Sequence, residues 1–63
     1  PETLLAACEA GIESEIANRN LYDHWLSKVE EADVRAVFMK LRNASQNNHL
    51  PAFQRCQQRL SFP

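Results

Sequence analysis

Apolar residues recur along the first half of the chain at helical steps: Leu4, Leu5, Cys8, Ile12, Ile16, Tyr22, Trp25, Leu26 and Val29. Steps of three and four trace one face of an α-helix. The seam through positions 8, 12, 15, 19, 22, 26 and 29 keeps to them, with Glu15 and Arg19 standing where two more apolar residues are expected. Thr3 is a suitable N-cap ahead of Leu4, and the pattern predicts a first helix over residues 3–29. Gly11 inside it costs about 1 kcal/mol relative to alanine, but its small size would let another helix come close.

Glu30-Glu31-Ala32 reads as a short connection, and Asp33 as the N-cap of a second helix over residues 33–59. Its stripe is Val34, Val37, Phe38, Leu41, Ser45, His49, Ala52, Phe53, Cys56 and Leu60. The stretch Ser45-Gln46-Asn47-Asn48-His49 puts polar side chains into this stripe, and Pro51 comes two residues after it. Proline removes a backbone donor and its ring clashes with the preceding turn, so one kinked helix is expected, with a break near residues 47–50 as the alternative. Ser61-Phe62-Pro63 reads as a frayed end. A connection this short makes the two helices antiparallel neighbours. The expected fold is therefore all-α, a single helical hairpin over residues 1–63. Two helices cannot by themselves cover a seam holding Tyr22, Trp25, Phe38 and Phe53, so pairing of two hairpins into a four-helix bundle is expected. That implies a homodimer, or partner helices from another part of a longer polypeptide.

A hairpin pivoting near Glu31 fixes which residues share a level. Cys8 precedes the pivot by about as much as Cys56 follows it, and the same holds for Glu15 and His49. Arg19 and Ser45 come one turn nearer the loop. One reading of this polar layer is an ion pair, Glu15 with His49 or Arg19, that fixes register. The other is a metal layer, since a carboxylate and an imidazole converging from facing helices suit iron, manganese or zinc. The cysteines could form a disulfide in an oxidising compartment, or pack as two small apolar thiols, which is the favoured reading. A joint metal site with His49 is disfavoured, because two helical turns, about 10 Å, separate it from Cys56.

Composition narrows the classes. The net charge of −1 hides an asymmetry: residues 1–33 hold all eight acids and two bases, residues 34–63 five bases and no acid. The spread of the bases and the lack of interleaved aromatics favour an acidic helix packed beside a basic one over nucleic-acid binding. No apolar run approaches the ~20 residues of a membrane span. Nor is there a nucleophile arrangement of the Ser/His/Asp or Cys/His kind, and one glycine cannot make a phosphate loop. His24 reads as a solvated side chain, Met39 as a gap-filler, and Tyr22 as core. The chain opens on Pro1 without an initiator Met, so the lack of a targeting pattern leaves the compartment open.

Two stretches carry a resemblance. Glu15-Ile16-Ala17-Asn18-Arg19-Asn20-Leu21-Tyr22 is similar to the first metal-helix pattern of rubrerythrin-type, ferritin-like proteins, with a glutamate ligand, an Arg-Asn pair and a tyrosine seven residues on. Asp33 to Phe38, Leu41-Arg42, Ser45 and Asn48-His49-Leu50-Pro51-Ala52-Phe53 resemble the last helices of a ferritin-like group, the DUF2202-like proteins. Together they span about residues 4–60. The resemblance implies a helical bundle that binds iron, manganese or zinc, with a redox role, and carries ligand roles onto Glu15 and His49 alone. It also shows a departure: the Glu-x-x-His pair of ferritin-like di-iron sites has Gln46 where its glutamate would stand. A two-fold dimer would bring two Glu15 and two His49 together, enough for one ion. The alternative is a non-catalytic hairpin for oligomerisation or partner binding, with Glu15 and His49 as a vestige.

Overall fold

A computed structural model describes residues 2–61. Helix α1 spans Leu4–Leu26, helix α2 Ala32–Ala44, and helix α3 Leu50–Ser61, with a π-helical turn, Ser45–His49, between the last two. Every described element is helical, and the chain is a helical hairpin: α1 runs along α2, the π-turn and α3 in succession. The molecule is a rod of 49 × 17 × 13 Å.

Local chemistry explains most of the boundaries. Thr3 is extended (φ −128°), and its hydroxyl accepts the amide of Ala6 at 3.0 Å, satisfying one of the donors a helix start leaves free. α1 ends three residues short of the expected boundary. There the Ser27 amide turns back to Asp23 and His24, its hydroxyl bonds the His24 carbonyl at 2.6 Å, and Lys28 and Val29 both donate to Trp25. α2 starts one residue earlier than expected. Glu31, not Asp33, is its N-cap, and it makes no side-chain capping bond; Asp33 instead accepts the amide of Val34 at 2.9 Å. The Arg35 guanidinium donates to the carbonyls of Leu26 and Val29, 3.1 Å for the latter, and so pins the connection from inside the next helix. At the far end α3 carries two residues beyond the expected boundary, to Ser61, and Phe62 and Pro63 lie outside the described residues.

The second half runs unbroken from Ala32 to Ser61, one helix rather than two, and its irregularity is a π-turn just ahead of Pro51. Leu50 donates its amide to Ser45, five residues back, so the turn is wound one residue wider than α. Pro51 comes directly after and has no amide to return the chain to the narrower ladder at that point.

Packing joins the two arms at three levels. Near the loop, Tyr22 and Phe38 meet with ring centroids 6.1 Å apart and planes tilted by 45°. Toward the open end, the Phe53 ring lies so close to α1 that a Cβ at Gly11 would sit 2.5 Å from it. At the open end itself Cys8 and Cys56 form a disulfide, their Cα atoms 5.9 Å apart. The favoured reading of two free thiols is thus corrected: the register that put both at one level also brings their backbones within bridging range. The core is thin. Among the described residues only Cys8, Glu15 and Ser45 are buried. Trp25, expected in the seam, is 44% exposed and stacks edge-on with exposed His24 instead, at 5.2 Å between centroids.

Candidate functional site

The polar layer forms where the π-turn crosses α1. The Ser45 hydroxyl and the Gln46 side-chain amide both donate to the backbone carbonyl of Glu15, at 3.1 and 3.0 Å, and Gln46 also donates to the Ser45 oxygen at 3.1 Å. A helical carbonyl has a second lone pair free for such donors. Serine suits the position because a larger side chain would hold the helices apart; it is only 2% exposed.

With its backbone held this way, Glu15 turns its carboxylate toward His49. The two groups are 3.8 Å apart, Oε1 to Nδ1, with the Glu15 side chain 10% exposed and that of His49 60% exposed. That separation is outside hydrogen-bond range. The one side-chain hydrogen bond of Glu15 among the described residues comes from Asn18 Nδ2, one turn on, and is long at 3.4 Å. Arg19 does not take part: it donates to Asn20 at 3.5 Å. A nearly buried carboxylate without a close donor is a place where a cationic partner is favoured.

As a metal site the arrangement is half complete. Two ligands on a tetrahedral zinc ion stand about 3.3 Å apart, from bond lengths near 2.0–2.1 Å. Glu15 Oε1 and His49 Nδ1, at 3.8 Å, stand somewhat farther apart than that. The donor set, carboxylate oxygen and imidazole nitrogen, fits iron, manganese or zinc. Among the described residues no third histidine, cysteine or carboxylate joins these two. Both cysteines are consumed by the disulfide, and Gln46 is turned to the Glu15 backbone.

Sequence spacing brought Glu15 and His49 to one level, and the structure places them in adjacent positions there. It did not single out Asn18 as a partner of Glu15, although a three-residue helical step carries that contact. Nor did it give Ser45 and Gln46 their role as anchors. Elsewhere the contact between the acidic and basic arms is Arg42 with Asp23, on the exposed surface. The hydrogen bond that Arg42 donates to Asp23, then the negative charge of Asp23, raises the pKa of Arg42 above the ordinary arginine value. The sign means that this contribution, present below the ordinary arginine value, is lost only when pH climbs past the raised one. Compared with known proteins, the chain matches no family model, no curated protein and no solved structure.

Proposed function

We propose that the chain is a metal-binding helical module of ferritin-like type, in which Glu15 and His49 hold an iron, manganese or zinc ion. The observation that carries the reading is the pair itself. A carboxylate 10% exposed faces an imidazole at 3.8 Å, on a wall whose backbone is fastened by Ser45 and Gln46. Two protein donors leave open coordination positions, so the site is completed by a second copy: in a homodimer, two hairpins forming a four-helix bundle supply two carboxylates and two imidazoles. Bound there, iron or manganese would supply redox chemistry and zinc a Lewis acid. Glu15 contributes the charge that favours a cation, and His49 a nitrogen donor.

Elemental analysis of untagged protein purified without chelator tests this. The expected content is about one ion per two chains, falling at least tenfold in Glu15→Gln and in His49→Ala. Added metal should raise the melting temperature of the wild type and not of the variants, because an ion bound only by the folded state stabilises it. Metal-free protein that also ignores added ions would overturn the proposal. One observation favours a second reading, a hairpin for assembly with a vestigial site: large apolar side chains lie open along the rod.

A further inference from the structure

The two long edges of the hairpin differ in kind. The Tyr22–Phe38 contact fixes which way each helix faces its neighbour, and each residue advances about 100° around its axis. Asp23 then lies to one side of α1 and Arg42 to the same side of α2, where they pair. That edge also carries Arg19 and Arg35. On the opposite edge stand Leu21 and Trp25 from α1, about 100° and 60° from Tyr22, with Val34, Val37 and Leu41 from α2, about 40° to 100° from Phe38. All five are exposed, by 51, 44, 39, 56 and 43%. Asn18 and Ser14 continue the α1 side, and the sector holds no charged residue.

Three further observations say what covers it. The rod exposes 4701 Å², whereas a compact monomer of 7.2 kDa exposes about 4,100 Å². The surplus, about 600 Å², is comparable with the ~800 Å² each partner loses in a specific interface. The radius of gyration, 14.1 Å, exceeds the roughly 11 Å of a compact domain of this length, so the deficit is one of thickness. Finally, a patch of apolar side chains without charge can pair with its own copy, whereas a charged edge would meet like charge across a two-fold axis.

We infer that the edge of Leu21, Trp25, Val34, Val37 and Leu41 is the docking surface for a second copy of this chain. The assignment rests on the proposed assembly of two chains and not on ion binding. Light scattering on the oxidised 63-residue chain at about 100 µM tests it. The expected mass is two chains for the wild type and for Met39→Glu, an exposed change on the charged edge, and one chain for Val37→Glu and Leu21→Glu. Circular dichroism checks that helix is retained. Trp25, the single tryptophan, gives a readout that needs no variant: its emission should shift to the red as the wild type is diluted. A monomeric wild type with dilution-independent emission would overturn the inference and point to another segment of a longer polypeptide as the occupant. So would a dimer that Met39→Glu breaks and Val37→Glu does not. Metal content is read separately: a metal-free dimer overturns the ion proposal alone, whereas a metal-loaded monomer overturns this inference together with the shared two-chain site and leaves ion binding by Glu15 and His49 within one chain.

Discussion

Gly11 shows how a single position can be governed by opposing effects. Replacing it with alanine gains about 1 kcal/mol of helix propensity. The new Cβ, however, would lie 2.5–2.6 Å from three atoms of the Phe53 ring, a rigid group that cannot fold away as a lysine tip could. Overpacking of this kind costs typically about 1–3 kcal/mol, and the ring must swing off α1 to admit a methyl. Gly11→Ala should therefore lower the melting temperature despite its better propensity, and Gly11→Ala combined with Phe53→Leu should recover part of the loss. Ser45 is the other position where one atom matters. Ser45→Ala leaves the Glu15 carbonyl still bonded by Gln46, so the expected cost in urea unfolding is about 1 kcal/mol, the ordinary net value of a hydrogen bond.

The helices were legible as elements because their information is local. Apolar residues at three- and four-residue steps give the number of helices, and the short run around Glu31 gives their antiparallel order. Counting outward from that pivot put Glu15 opposite His49 and Cys8 opposite Cys56. The π-turn was not legible. Whether the amide of Leu50 reaches four residues back or five is decided by where Ser45 and Gln46 find an acceptor on another helix, and no periodicity within the segment encodes that. Trp25 misled for a related reason. Periodicity separates apolar from polar faces, but an apolar side chain turned toward its own hairpin and one turned outward carry the same sequence signal. The expected cap at Asp33 failed by two residues because the connection closes through Arg35 and the carbonyls of Leu26 and Val29, a contact made after the chain has turned.

Taken whole, the molecule has too little buried apolar surface to hold its open end by packing alone: among the described residues Cys8 is the one buried hydrophobic side chain, and it is in the disulfide. A cross-link across 48 residues restricts the unfolded chain by about 4 kcal/mol in the loop-entropy description, a large fraction of the stability of a small domain. Cys8→Ser with Cys56→Ser, or treatment with a dithiol reductant, should therefore abolish most helical circular dichroism in dilute solution. Retention of the full signal would mean that helix contacts suffice without it.

The same bond has a topological result. With the loop at one end and the sulfur bridge at the other, residues 8–56 form a covalent ring, so a peptide-bond break in the exposed connection around Lys28 would open the ring without parting the pieces. Both arms would stay attached through their cysteines, and the hairpin is in that sense two helices tied at both ends.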